Sequence, residues 1–168
     1  AKAVQLMYEA GIPRDVLQLL PGDGHTVGAS LVSDSRIAGV CFTGALDTAQ
    51  AINRSMAEHC KPDAVLVAET GGLNAMVVDS TALPEQAVRD ILESAFQSAG
   101  QPCSALRVLY VQNDIADKLI EMLSGAMAEL NIGDPGLLST DVGPVIDSHA
   151  LRVLESHVDT MKHEATVV

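Results

Sequence analysis

Short apolar runs alternate with helix patterns along the first 70 residues of this 168-residue chain. The apolar runs lack a regular polar-apolar alternation, which is typical of strands buried on both faces of a parallel sheet. They lie at 15–21, 37–42 and 63–69. Helix patterns precede them, at 1–10, 27–34 and 45–60. This order predicts an α/β fold in which a parallel sheet lies between two layers of helices, a three-layer arrangement.

The spacing of the elements changes after Gly72, so we place a domain boundary between Thr70 and Leu73. The predicted domains are residues 1–70 and 71–168. In the second, strands are expected at 74–79 and 106–111, and helices at 83–100, 113–130 and 148–164. Side chains predicted to cap helices are Thr26 and Asn113.

Composition excludes several functions. With 22 acidic and 10 basic residues the net charge is −12, so no basic patch exists to neutralise a nucleic-acid backbone. No apolar run approaches the roughly 18 residues that cross a membrane. The spacing of Cys41, Cys60 and Cys103 matches neither a disulfide framework nor a zinc site. We therefore expect reduced thiols, a cytoplasmic location and no bound metal, with the five histidines on the surface.

Cys103 is the strongest candidate for a reactive group. It follows a Gly-Gln-Pro turn and precedes the strand at 106–111, which would hold it on a rigid base. A reactive thiol needs access to solvent, and a loop provides it better than a core position does. Cys41 within a strand and Cys60 at a helix end are instead predicted to be packing residues.

Glu69 ends an apolar run immediately before Thr70 and two glycines. At the carboxyl end of a parallel strand, a carboxylate is either a catalytic group or a solvated strand end, and the residues alone leave both open. Beside a thiol nucleophile it would serve as the base. The turn at 42–49 opens a helix whose N–H groups are suited to a phosphate, although its single glycine is a weak signal.

Taken together, these motifs resemble the NAD-dependent aldehyde dehydrogenase superfamily. They follow the family's order, with PG-x-G at 21–24, FTG at 42–44, ETGG at 69–72, GQ-x-C at 100–103 and, more weakly, GPVID at 143–147. Further stretches look like the 1-pyrroline-5-carboxylate (L-glutamate γ-semialdehyde) dehydrogenase module of bifunctional proline utilisation proteins. These stretches are 39–54, 67–86 and 103–112.

The resemblance implies an aldehyde dehydrogenase-like fold. Residues 1–70 would be the C-terminal part of a Rossmann-type NAD-binding domain, and residues 71–168 the N-terminal part of the catalytic thiol domain. It also implies that Cys103 attacks an aldehyde, that its backbone N–H helps hold the oxyanion, and that Glu69 activates the water that releases the product. Ser104 would contact the substrate. Contacts to NAD are expected at Gly28, Thr43, Gly44, Ala45, Thr48, Thr70 and Gly71.

The same resemblance implies a homo-oligomeric parent protein that oxidises a small aldehyde in proline catabolism. An FAD-dependent proline dehydrogenase domain would accompany the module outside this chain. The family's catalytic asparagine, which is the second oxyanion donor, and its ribose-binding lysine would lie before residue 1. We therefore expect the chain to be a piece of a longer enzyme and inactive alone.

The sequence departs from the family pattern at three positions of the candidate site. Leu73 stands where the family has lysine, Pro102 where the proline-pathway branch has arginine or lysine, and Ala45 where many relatives have serine. Alternatives therefore stay open: an enzyme for another aldehyde, such as succinic semialdehyde, or a catalytically dead structural module. A cysteine hydrolase is a poorer third reading, since no histidine stands in a recognisable partner motif.

Overall fold

Two pairs of parallel strands organise the fold in the computed structural model, which describes residues 1–166. The chain divides into two compact units, residues 1–70 and 71–168. Parallel strands separated by helices confirm the predicted α/β class. Among the described residues, no helix has both the length and the apolar character needed to cross a bilayer.

The first unit begins with a helix and ends with a strand. Its elements are α1 (Lys2–Glu9), a π-helical turn (Gly24–Gly28) continued by α2 (Ala29–Val32), β1 (Gly39–Gly44), α3 (Leu46–His59) and β2 (Val65–Thr70). Pairing of β1 with β2 runs in register from Gly39 beside Val65 to Gly44 beside Thr70. The predicted strand at 37–42 is thus displaced by two residues, because the pairing with β2 extends through Thr43 and Gly44.

Helices cover one face of this strand pair. Helix α3 packs on both strands, on the side of the partly buried residues Val40, Phe42 and Leu66. On the opposite face Val65 and Val67 are 59% and 48% exposed. The apolar pattern predicts helices on both faces, whereas the described chain supplies them to one.

The predicted strand at 15–21 is wrong. The segment is irregular and mostly exposed, with Val16 at 72%. A strand must pair its backbone groups with a neighbour, and among the described strands β1 pairs only with β2. Here the segment is held from α1 instead, where the Tyr8 hydroxyl donates to the Leu17 carbonyl at 2.6 Å.

Two predicted caps are also wrong. The turn before α2 is capped by Asp23, whose carboxylate accepts from the His25 N–H at 2.6 Å, while the Thr26 hydroxyl donates to the Asp23 carbonyl. At the later helix, Asn113 is the first helical residue and Gln112 occupies the N-cap position. The Gln112 side chain makes no cap bond to the helix and instead accepts from the Ser80 N–H at 2.9 Å, so among the described residues this helix starts without a side-chain cap.

The second unit alternates strands with longer helices. Its elements are β3 (Asn74–Val78), α4 (Pro84–Phe96), a 3-10 turn (Gln97–Gly100), β4 (Leu106–Val111), α5 (Asn113–Ala128) and α6 (Ser148–Glu164). Strands β3 and β4 are parallel, and their register shifts once, directly after Asn74. A core joins these strands to α4 and α5 through Val78, Val88, Ile91, Leu106 and Leu119.

The segment between α4 and Cys103 has an uncommon backbone. Ser98, Ala99 and Gly100 lie consecutively in the left-handed region, with φ of 52°, 56° and 67°. This ends α4 at Phe96, short of the predicted helix end at 100. A Cβ on Gly100 would lie 2.8 Å from the Ala95 carbonyl oxygen, so only glycine fits there. For the two residues that do carry a Cβ, the left-handed region costs about 1–2 kcal/mol each.

Opposite stability changes are therefore expected at neighbouring positions. Gly100→Ala should lower the free energy of unfolding by about 2 kcal/mol or more, because it adds the left-handed penalty and a backbone clash. Ala99→Gly should raise it by roughly 0.5–1 kcal/mol, since it removes that penalty at a modest entropic cost. Urea titration of both variants measures these changes. Equal destabilisation by both substitutions would contradict the backbone description.

Helix α6 starts at a side-chain cap. The Asp147 carboxylate accepts from the Ala150 N–H at 2.8 Å. This hydrogen bond holds the pKa of Asp147 below its usual range, and the positive charges of His149 and Arg152 act in the same direction. A lowered folded-state pKa means that the cap stabilises the helix above the unfolded-state pKa, near 4, and that this contribution is lost as the pH falls through the folded value.

We expect the start of α6 to loosen selectively in acid. The protection factor of the Ala150 amide against hydrogen exchange should fall as the pH drops below about 4 and Asp147 becomes protonated. Asp147→Asn is the matched control, because asparagine keeps the accepting oxygen but does not titrate. An identical acid dependence in this variant would show that another group controls the helix start.

Candidate active site

Cys103 lies on an exposed turn whose following residues are buried. The Ala105 N–H donates to the Pro102 carbonyl at 3.1 Å, which closes the turn around Cys103 and Ser104. Ala105 and Leu106 are only 2% and 9% exposed. The sequence folds this way because the apolar residues 105–106 enter the core while the preceding turn remains outside. The accessible Cys103 thiol is therefore followed directly in the chain by firmly packed residues.

Gln101 secures the turn on its N-terminal side. Its Nε2 donates to the Ser98 carbonyl at 2.8 Å, and its Oε1 accepts from the Ile146 N–H at 2.8 Å. The Arg107 guanidinium also donates to the Gly100 carbonyl. The weakly matched stretch 143–147 therefore touches the cysteine turn, although it is more than 40 residues away in the chain.

Asn74 secures the same turn on its C-terminal side. Its Nδ2 donates to the carbonyls of Cys103 and Ala105, at 2.7 and 2.9 Å. Sequence reasoning missed both Asn74 and the structural role of Gln101. The signal for Asn74 was its place two residues after the double-glycine motif, where a strand begins with a polar residue.

A shallow cleft of about 430 Å³ adjoins the turn. Ser104 and Pro102 line it from the turn and Met76 from β3. Its other wall is formed by Asp90, Glu93 and Ser94 of α4 and by Gln97 of the 3-10 turn that follows. The predicted substrate residue Ser104 thus lies at a concave surface next to Cys103.

Glu69 lies at the carboxyl end of the sheet in the first unit. The parallel register places it beside Thr43, and Thr70 beside Gly44. Glu69 is exposed and Thr70 is half-buried. Predicted site residues that are far apart in sequence are therefore adjacent at one edge of this sheet. Cys103 belongs to the other unit.

A larger cavity, of about 910 Å³, lies within the first unit. Gly28 and Thr48, both predicted cofactor contacts, line it. Its apolar walls come from β1 and the two helices that face it, with Leu31, Val32, Val40, Phe42 and Ile52. A cavity of this size and apolarity suits a small organic ligand.

Three further predicted contacts lie between β1 and α3, next in sequence to residues that line the cavity. Thr43 and Gly44 end β1, and Ala45 is the N-cap of α3. No side chain within residues 1–166 caps α3, which leaves the N–H groups of its first turn for a ligand. A Cβ on Gly44 would lie 2.5 Å from the Phe42 ring, so a larger residue there would displace a cavity wall. Gly71 follows β2, in an exposed segment.

The exposure of the other two cysteines and of the histidines can be compared with the prediction for each. Cys41 was expected to be buried but is exposed, because it projects from the open face of β1. Cys60 is half-buried, with its Sγ 3.5 Å from the Val32 carbonyl, as a packing residue should be. All five histidines are exposed, which confirms their predicted surface position.

Comparison with known proteins identifies the family. The aldehyde dehydrogenase family matches residues 1–168. The bifunctional protein PutA of Klebsiella aerogenes is 52% identical over all of this chain, which spans 13% of that protein. A 1-pyrroline-5-carboxylate dehydrogenase of Geobacillus kaustophilus is 34% identical over 99% of the chain, which covers 33% of its length.

The fold comparison agrees. A crystal structure of betaine aldehyde dehydrogenase from Staphylococcus aureus, in complex with NAD+, matches 97% of this chain and 32% of its own length, with a TM-score of 0.91 at 31% identity. Sequence identity and fold similarity indicate the same family over essentially the whole sequence. The chain belongs to the aldehyde dehydrogenase family.

Proposed function

We propose that this chain is the part of an NAD-dependent 1-pyrroline-5-carboxylate dehydrogenase that carries the nucleophile and the base. The full enzyme would oxidise L-glutamate γ-semialdehyde to glutamate in proline catabolism. One observation carries the proposal: an exposed cysteine on a packed turn, in a chain 52% identical to PutA and 34% identical to a 1-pyrroline-5-carboxylate dehydrogenase. Because the chain spans 13% of the first relative and 33% of the second, the activity is proposed for a longer protein.

Within that protein we assign residues 1–70 to the C-terminal part of the NAD-binding domain. Residues 71–168 would form the N-terminal part of the catalytic domain. The division of the chain into compact units at the same position supports this assignment. A cytoplasmic location, a homo-oligomeric assembly and an FAD-dependent proline dehydrogenase domain elsewhere in the protein are further parts of the proposal.

Cys103 would act as the nucleophile. Its thiolate Sγ forms a bond to the aldehyde carbon, and the carbonyl oxygen becomes an oxyanion held partly by the Cys103 backbone N–H. The oxyanion then collapses as hydride leaves the same carbon, and a thioester to Sγ remains. Exposure of the thiol supports this role, because an aldehyde must reach it directly.

Glu69 would act as the base in the second half of the reaction. Its carboxylate takes a proton from water as the water oxygen attacks the thioester carbon. The C–S bond then breaks, which frees the Cys103 thiolate and releases the carboxylic acid product. The position of Glu69 at the carboxyl end of a parallel strand, where ligands of such sheets bind, supports this role.

NAD+ would supply the hydride acceptor when bound. The chain's residues fit such a group, since the 910 Å³ cavity combines apolar walls with the polar start of a helix. Gly28 and Thr48 would contact the adenosine end, and Thr43, Gly44 and Ala45 the pyrophosphate. Thr70 and Gly71 would line the nicotinamide site.

Substrate recognition would involve Ser104 and the cleft beside it. The substrate is an amino acid aldehyde, with an ammonium and a carboxylate at its far end. Pro102, in place of the branch's basic residue, offers no charge to that carboxylate. Specificity for glutamate semialdehyde over other aldehydes would then depend on residues outside this chain.

Substitution of the two proposed catalytic residues should separate the two half-reactions. In the full-length protein, Cys103→Ser should abolish NADH formation from glutamate γ-semialdehyde. Glu69→Gln should slow steady-state turnover by roughly 100-fold or more, yet retain one rapid burst of NADH per active site, because it impairs only thioester hydrolysis. Stopped-flow absorbance at 340 nm measures both phases. The 168-residue chain alone should form no NADH.

Alkylation provides the control for this experiment. In the wild-type protein, iodoacetamide should label Cys103 well ahead of Cys60, and also ahead of Cys41, which is exposed as well. Equal labelling of Cys41 and Cys103, together with no NADH from any aldehyde, would favour a catalytically dead module. Faster turnover of succinic semialdehyde than of glutamate γ-semialdehyde would instead reassign the substrate.

A further inference from the structure

Asn74 connects the start of one core strand to the backbone of the candidate nucleophile. It is the first residue of β3, and it pairs in register with Leu106, the first residue of β4. Directly after this pair the register shifts. Cys103 and Ala105 precede the start of β4 at Leu106, so their carbonyl groups lie outside the strand ladder.

The Asn74 side chain takes the place of that missing ladder. A single amide nitrogen donates to the Cys103 carbonyl at 2.7 Å and to the Ala105 carbonyl at 2.9 Å. An NH₂ group has two protons, so each carbonyl can receive its own hydrogen bond. The two bonds span Ser104 and hold both ends of a three-residue segment against β3.

We infer that Asn74 is a positioning residue for the Cys103 nucleophile. Buried Ala105 and Leu106 fix the end of the turn, and the Ala105 N–H closes it onto the Pro102 carbonyl, but neither residue bonds a backbone group of Cys103 itself. Asn74 supplies that restraint through the carbonyl of the residue whose thiol reacts. Because a misplacement of about 1 Å can cost 100-fold in rate, a hydrogen bond at this point affects the chemical step. The inference rests on the proposed function.

The two hydrogen bonds from one side chain require asparagine at position 74. Aspartate keeps the shape but has no N–H to donate, and its charge would face two carbonyl oxygens. Alanine removes the donors and leaves both carbonyls to solvent. Serine retains one donor on a shorter side chain. The three substitutions therefore form a graded series in the number of donors and in charge.

The test uses the full-length protein with Asn74→Ala and Asn74→Ser. For Asn74→Ala we expect kcat to fall by about 10- to 100-fold, with the KM for NAD+ changed less than about twofold, since the cofactor contacts are elsewhere. The Ala105 amide should exchange at least about 10-fold faster, as the turn loosens. Asn74→Ser should lie between Asn74→Ala and the wild type in both measurements.

Asn131→Ala is the matched control. The Asn131 side chain also donates to a backbone carbonyl in the second unit, that of Ser139, in a different loop. This variant should leave kcat and Ala105 exchange at the wild-type values. A similar loss of kcat in the Asn131 variant would mean that general destabilisation, and not positioning, explains the result.

The outcomes separate this inference from the proposed function. Unchanged Ala105 exchange, or faster exchange with unchanged kcat, would overturn the positioning role. A wild-type protein that forms no NADH would overturn the proposed function; the rate of Cys103 alkylation by iodoacetamide then replaces kcat, and an unchanged rate in Asn74→Ala overturns the inference. If Asn74→Ala does not fold, Asn74→Ser decides by the same criteria.

Discussion

The burial of Ala105 and Leu106 is the constraint on which the candidate nucleophile depends. Both residues are buried, Leu106 within the core formed by β3, β4, α4 and α5, and they anchor the turn that carries Cys103. The residues before the cysteine cannot continue α4, because three of them in succession adopt left-handed backbone angles. A core position and a helix end thus lie within a few residues of each other, and the thiol is exposed between them.

Side-chain amides complete this arrangement. Gln101 ties the N-terminal side of the turn to Ile146, and Asn74 ties the C-terminal side to the start of β3. Such bonds are short-range in space but span 45 and 29 residues of sequence. They explain how an exposed turn can keep a defined geometry without burying the reactive group.

In the first unit, parallel strand pairing brings the candidate site residues together. It places Glu69 beside Thr43 and Thr70 beside Gly44, so residues of two separate motifs meet at one edge of the sheet. The cavity lined by Gly28 and Thr48 lies within the same unit. These features support the proposed assignment of residues 1–70 to the cofactor-binding part of a longer enzyme.

Local patterns predicted the elements that have strong local signals. Strand β4 and helix α6 have the predicted bounds, because a continuous apolar run and a long amphipathic repeat define them without help. The Thr26 cap and the end of α4 failed for local reasons, since Asp23 caps the first turn and residues 98–100 have left-handed backbone angles. Other failures depend on partners that are distant in the chain. Among the described residues, the run at 15–21 has no strand beside it, and Cys41 is exposed on a face that the described helices leave open.

The sequence by itself determined the α/β class, the family and the residue types of the candidate site. Those features depend on composition, on the period of apolar residues and on short motifs, all of which are local along the chain. Only the tertiary structure decided which side chains hold Cys103, which residues share the cavity with Gly28 and which apolar faces stay open. Each of these depends on contacts between residues tens of positions apart, and no local pattern encodes which of the possible contacts will form.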